Sequence, residues 1–138
     1  MTTDVGSVVI VGGGAAGYAV AEGLHVNGFS GDVTIVGEET GEPYDRPPLS
    51  KEVLSGAWEP PRAALIASRR VAPLNPRILT GVRATAVDLD AHRVNLNDGQ
   101  SLPYDALVVA TGVTPRRIPH PDVPGIRVLR TMDDSLAL

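Results

Sequence analysis

Gly12-Gly13-Gly14-Ala15-Ala16-Gly17 forms a G-x-G-x-x-G stretch, and the chemistry it suggests belongs to backbone rather than side chains. Gly12 permits a tight turn out of a strand. Gly14 lacks the β-carbon that would hold a pyrophosphate off the backbone, and Gly17 lets a helix and a strand pack closely. Free N–H groups and the positive end of the helix dipole would then face a diphosphate. Glu38 lies 21 residues past Gly17, where a carboxylate can accept both ribose hydroxyls of an adenosine half. Glu39 is adjacent and is the alternative acid for that task. Either acid would repel a 2′-phosphate, which disfavours NADP at this place. The plain alternative is a glycine-rich turn that binds nothing, with the acid and both flanking strands coincidental. The motif by itself does not separate FAD from NAD.

Lys51 is the only lysine among twelve cationic residues. An ammonium is a compact charge that can neutralise a phosphate or sit by a reduced ring system, although a single lysine must fall somewhere. Other chemistries are poorly supplied. The sequence holds no cysteine, which excludes a redox disulfide, a thiolate nucleophile and a cysteine-ligated metal centre, and suits a reducing cytoplasm. His25, His92 and His120 are far apart, so no metal site is expected. A net charge of −4 without a basic cluster argues against a nucleic-acid platform. No apolar run reaches the roughly 18 residues of a membrane span. The opening Met1-Thr2-Thr3-Asp4-Val5 lacks the basic region of a signal peptide.

The elements that must position these residues follow from the apolar pattern. Ser7 to Val11 is a short, β-branched run of the kind buried on both faces of a parallel sheet. Ala15 to Asn27 reads as a helix ended by Asn27-Gly28, and Val33 to Val36 as a second buried strand. Together they make a βαβ unit with a right-handed crossover. Glu42 to Pro76 holds seven of the twelve prolines, which disfavours long regular elements. A short helix over Pro48 to Leu54, capped by Ser50, and another over Arg62 to Val71 are the expectations there. Ala84 to Leu89, Arg93 to Leu96 and Ser101 to Tyr104 read as an antiparallel meander, with Asn97-Asp98-Gly99 as a turn. Ala106 to Ala110 is another buried strand. Pro115 to Pro124 is a crossing loop, Ile126 to Leu129 is extended, and Thr131 with Asp133 and Asp134 starts a helix. The fold class is α/β: a Rossmann-like βαβ unit with an antiparallel β-meander insertion and an incomplete doubly wound sheet.

Three later stretches narrow the reading. Pro43-Tyr44-Asp45-Arg46-Pro47-Pro48-Leu49-Ser50-Lys51 resembles the P-Y-x-R-P-P-L-S-K signature of FAD-dependent ferredoxin reductases. These are the reductase components of bacterial aromatic-ring dioxygenase and cytochrome P450 systems, with rubredoxin reductases nearby. Tyr104-Asp105-Ala106-Leu107-Val108-Val109-Ala110-Thr111-Gly112 is similar to the family's Y-D-x-L-h-h-A-T-G, where h is apolar. Val128-Leu129-Arg130-Thr131 with Asp133 resembles its L-R-T-x-x-D. The A-T-G portion alone is shared by the wider pyridine nucleotide-disulfide oxidoreductase superfamily.

The resemblance implies roles. Gly12, Gly14, Ala15, Ala16 and Gly17 would line the FAD pyrophosphate, and Glu38 would hold the adenosine ribose. Arg46 and Lys51 would contact the cofactor as fixed cations, Val82 would meet the adenine through its backbone, and Arg130 would also touch FAD. Ala110, Thr111 and Gly112 would close a turn against it. No residue is required as acid, base or nucleophile, because hydride from NADH or NADPH would pass to the flavin and single electrons to a [2Fe–2S] ferredoxin or a rubredoxin. Residues 1–138 would form the N-terminal part of the FAD-binding domain, with the NADH-binding and C-terminal interface domains lying outside them, so catalysis by these residues alone is not expected. A non-catalytic FAD- or ADP-binding module and an inactive truncated fragment remain alternative readings.

Overall fold

The computed structural model describes residues 5–65, 69–117, 119 and 123–138. Residues 1–4, His120, and parts of the Arg62–Val71 and Pro115–Pro124 stretches lie outside the described residues. The chain divides into two compact units, Met1–Pro43 with Leu65–Gly112 and Tyr44–Ala64 with Val113–Leu138.

In the first unit, β1 (Ser7–Val11) is followed by α1 (Ala15–Val26), β2 (Asp32–Val36), β3 (Arg77–Leu79), β4 (Ala84–Asp88), β5 (Arg93–Leu96), β6 (Ser101–Pro103) and β7 (Ala106–Val109). The parallel sheet runs β3-β2-β1-β7, and β4-β5-β6 forms a separate antiparallel sheet. The continuous apolar run in β1 is explained by its two faces, since side chains alternate along a strand. Val8 and Ile10 join Tyr18 and Ala21 of α1, Val33 and Ile35 of β2, and Leu65 and Val71. Val9 and Val11 join Val36 and the inward residues Val94, Leu96, Leu102 and Tyr104 of the antiparallel sheet. One strand therefore serves two cores. The unit is layered as helix, parallel sheet and antiparallel sheet around it.

Several expectations hold with small shifts in boundary: β1, α1 with Asn27 as its C-cap, β2, and the meander with its Asn97–Gly99 turn, where Gln100 donates its backbone N–H to Asp98 Oδ1 at 3.0 Å. β3 was not expected. It has three residues and follows Pro76, and Ile78 is 45% exposed, so it carries no burial pattern to read. β7 departs from expectation in the other direction. It was expected to be buried on both faces, yet Val109 is 68% exposed. Among the described residues β7 lies at an edge, paired with β1 alone.

Asp105, immediately before β7, fastens the start of β7 to the start of β1. Its Oδ2 accepts from the Gly6 N–H at 3.0 Å, the Ser7 N–H at 2.8 Å and Ser7 Oγ at 2.9 Å. The Ser7 hydroxyl first, and then the two backbone N–H groups, hold this carboxyl below its ordinary value. At the base of the proline-rich segment, Leu65 donates its N–H to Pro43 O at 2.9 Å.

In the second unit, Tyr44 pairs with Ala64 in an antiparallel bridge, and Asp45 donates its N–H to Ala63 O at 2.8 Å. Short 3-10 turns span Pro47–Ser50 and Pro60–Ala63, and α2 spans Met132–Leu136. The expected helix over Pro48–Leu54 is corrected. The turn starts earlier, because Pro47 needs no N–H partner and its φ is pre-set for a first helical position. Ser50 is the last residue of the turn rather than its cap, and Lys51 leaves helical geometry at φ −132°. Ile126–Leu129 carries no regular secondary structure, and Ile126 donates its N–H to Val123 O at 3.3 Å. The expected start of α2 is present as a capping box. Thr131 Oγ1 accepts from the Asp134 N–H at 3.2 Å, and Asp134 Oδ2 accepts from the Thr131 N–H at 2.7 Å. Buried Ser135 donates its hydroxyl to Leu49 O at 2.7 Å, and Tyr44 Oη accepts the Met132 N–H at 2.9 Å.

Two stability outcomes follow from these contacts. A β-carbon on Gly17 would lie 1.9 Å from Gly12 O, whereas one on Gly14 would meet nothing within 4 Å. In urea titrations, Gly17→Ala should lower stability by about 1–3 kcal/mol and Gly14→Ala by less than about 1 kcal/mol. Because the Asp105 carboxyl is depressed in the folded state, its contribution is complete above the ordinary value of 3.8 and is lost as pH falls through the folded value. The urea midpoint of Asp105→Asn should therefore lie below that of the unsubstituted chain at neutral pH, with the gap closing below the ordinary value. A gap of constant size at all pH would show that ionisation plays no part.

Candidate cofactor site

The site residues of the first unit all follow the carboxyl ends of parallel strands, where open α/β sheets bind ligands. Gly12 to Gly17 follow β1, Glu38 follows β2, Val82 lies three residues beyond β3, and Ala110 to Gly112 follow β7. Gly12 has φ +128°, and a β-carbon there would fall 2.1 Å from Ala110 O. The β1 turn and the chain leaving β7 thus touch backbone to backbone. Ala110 donates its N–H to Val11 O at 2.7 Å, and Gly12 donates its N–H to Val36 O at 2.8 Å. Only glycine fits at Gly12, on both grounds. Gly112 has φ +70° and turns the chain away from β7.

The start of α1 is chemically bare. Gly14 is the N-cap at φ −97° and ψ −168°, an extended conformation open to any residue, and it offers no side-chain cap. The first turn carries no acidic side chain, and Ala15 and Ala16 are exposed. The N–H groups of a first turn have no intrahelical acceptor, so here they keep their donors and their share of the helix dipole for an outside anion. The space over Gly14 is the space a β-carbon would fill. Backbone donors without an acidic side chain and open space over Gly14 suit the diphosphate of the dinucleotide cofactor that the sequence motif implies.

Glu38 is exposed, and its Oε1 lies 3.5 Å from Arg83 Nη1. Glu39 is half-buried, and its carbonyl accepts the Gly81 N–H at 3.2 Å. Val82 donates its own N–H to Gly37 O at 3.0 Å. Sequence reasoning missed two residues here. Gly37 sits against Gly13, since a β-carbon on Gly13 would come 3.2 Å from Gly37 Cα. Arg83 is the partner of Glu38. The only hint of the first was a glycine directly before the acid, and nothing in the sequence hinted at the second.

Arg46, Lys51 and Arg130 belong to the second unit. Arg46 is half-buried, with its guanidinium 5.6 Å from the Tyr44 ring, and its Nη1 donates to Arg130 O at 2.6 Å. The structure therefore brings Arg46 and the Arg130 backbone together. The Arg130 N–H donates to Asp134 Oδ2 at 2.9 Å. Lys51 is exposed at the end of its 3-10 turn. Among the described residues no helix is long and apolar enough to cross a membrane.

Comparison with known proteins agrees with this geometry. The p-cumate 2,3-dioxygenase system ferredoxin--NAD(+) reductase component of Pseudomonas putida is 41% identical over 143 residues, covering 100% of this chain and 35% of that protein. The benzene 1,2-dioxygenase system ferredoxin--NAD(+) reductase subunit of Pseudomonas putida is 41% identical over 130 residues, covering 92% and 31%. The covalent putidaredoxin reductase–putidaredoxin complex superposes with a TM-score of 0.85 at 39% identity, covering 94% of this chain and 32% of that one. The chain spans about a third of the length of the relatives it matches. The profile of the pyridine nucleotide-disulphide oxidoreductases matches residues 6–138, and the chain belongs to that family.

Proposed function

We propose that residues 1–138 are the N-terminal part of the FAD-binding portion of a flavoprotein reductase. The whole protein takes hydride from NADH or NADPH and passes single electrons to a [2Fe–2S] ferredoxin or a rubredoxin. The observation that carries this reading is the bare start of α1, open over Gly14 and free of acidic side chains in its first turn. Relatives named as ferredoxin--NAD(+) reductase components support the choice of reaction. FAD, when bound, supplies the redox chemistry.

The residues of this chain bind and orient. Gly12, Gly14, Ala15, Ala16 and Gly17 present the backbone to the diphosphate, and Glu38 accepts the ribose hydroxyls. The Val82 carbonyl meets the adenine, and Ala110, Thr111 and Gly112 bound the cofactor at the end of β7. Arg46, Lys51 and Arg130 are the cations that the family resemblance assigns to the cofactor, and the Arg46 guanidinium donates to the Arg130 carbonyl. None of them acts as nucleophile, acid or base. A reducing cytoplasm is the compartment we propose, supported by the lack of cysteine in these 138 residues.

The test is cofactor content. The chain purified with FAD present should emerge yellow. Gly14→Val keeps an extended backbone that valine tolerates, but fills the cradle, and should reduce FAD affinity by about tenfold or more, equivalent to at least about 1.4 kcal/mol. A Gly14→Val chain that folds and holds FAD as tightly as the unsubstituted chain would remove the basis of the proposal.

A further inference from the structure

The side-chain pair Glu38–Arg83 has a backbone frame behind it that sequence motifs do not describe. The chain leaving β2 is joined to the end of β3 and the chain that follows it by three hydrogen bonds. Gly37 N–H donates to Leu79 O at 2.8 Å, Val82 N–H to Gly37 O at 3.0 Å, and Gly81 N–H to Glu39 O at 3.2 Å. Arg83 is then held on its other side by Asn97, the first residue of the β5–β6 turn. The Arg83 N–H donates to Asn97 Oδ1 at 2.9 Å, and Arg83 O accepts the Asn97 N–H at 2.9 Å. The main-chain path and the Asn97 side chain together therefore set Arg83 beside Glu38. The two side chains, 66% and 68% exposed, meet at 3.5 Å.

We infer that Arg83 is a positioning residue for the ribose-binding carboxylate. The inference rests on the cofactor reading above and adds to it. A glutamate on the surface samples many rotamers, and binding a ribose diol requires one of them to be frozen. Arg83 engages Oε1 from a fixed backbone, which narrows that sampling and leaves Oε2 and the remaining lone pairs for the hydroxyls. A planar guanidinium does this better than an ammonium. An exposed pair is worth little on its own, so its effect is on affinity rather than on folding. It is also screened by salt.

The experiment is a double-mutant cycle on ADP binding by the 138-residue chain, read by calorimetry at low and high salt, with inorganic pyrophosphate as a second probe. Pyrophosphate engages the glycine cradle without a ribose. Arg83→Ala should weaken ADP by about two- to fivefold, with no change in the Glu38→Gln background. Arg83→Lys should recover part of the loss. The loss should shrink at high salt, and pyrophosphate binding should stay the same. Equal weakening of pyrophosphate would make Arg83 a general attractor of anions and overturn the inference. So would an Arg83→Ala effect that persists without Glu38, or ADP binding that is unchanged or tighter in Arg83→Ala. If Glu38→Gln and Gly14→Val both leave ADP binding unchanged, or the unsubstituted chain binds no ADP, the cofactor reading itself fails and this inference falls with it.

Discussion

The first unit depends on the approach of Gly17 to the Gly12 carbonyl, a contact with no room for a β-carbon. It seats α1 directly on the end of β1, and it does so inside a helix where each glycine costs roughly 1 kcal/mol relative to alanine. Burial offsets that loss. Tyr18, next to Gly17, is 2% exposed and Ala21 is fully buried, and one large buried side chain contributes about 1.5–3 kcal/mol. Once the helix is seated, its bare first turn comes to the carboxyl end of the parallel strands. The cradle follows from packing rather than from any residue dedicated to it.

The site divides its work between main chain and side chains. In the proposed site the glycine turn meets the diphosphate through backbone donors and the dipole of α1, which need no ionised group and do not titrate. The same proposal gives the sugar to the Glu38 carboxylate, whose surroundings come from the hydrogen-bonded path between β2, β3 and β4. Gly13 and Gly37 touch at the boundary of these two parts. That contact makes the turn after β1 and the turn after β2 a single surface rather than two neighbouring loops.

Much of this could be read from local pattern. β1, α1 and β2 declare themselves through a β-branched run, helical spacing and a glycine turn. The meander shows through alternation and an Asn-Asp-Gly turn, and α2 through Thr131 and Asp134. What could not be read depends on contacts distant in sequence. β3 is three residues whose pairing with β2 is fixed by register with Thr34, Ile35 and Val36, not by its own hydrophobicity. The exposure of β7 depends on where it lies in the sheet, which an apolar run cannot reveal. In the proline-rich segment, proline geometry replaced an expected helix with shorter turns. Among the candidate site residues the glycines were legible, because the close backbone contacts at Gly12 and Gly17 impose the residue type. Arg83 was not, since only the path through Gly37, Val82 and Asn97 makes it a neighbour of Glu38.

The closure at Pro43 and Leu65 has a bearing on how this chain tolerates change. The main chain enters the proline-rich excursion and returns from it at hydrogen-bonded neighbours: Leu65 with Pro43, then Tyr44 with Ala64 and Asp45 with Ala63. An excursion pinched at its base can lengthen or shorten at a price that grows only with the logarithm of its length. The exposed residues 54–57 are therefore a place where the chain can change length while Arg46, Lys51 and the spacing between β2 and β3 are preserved.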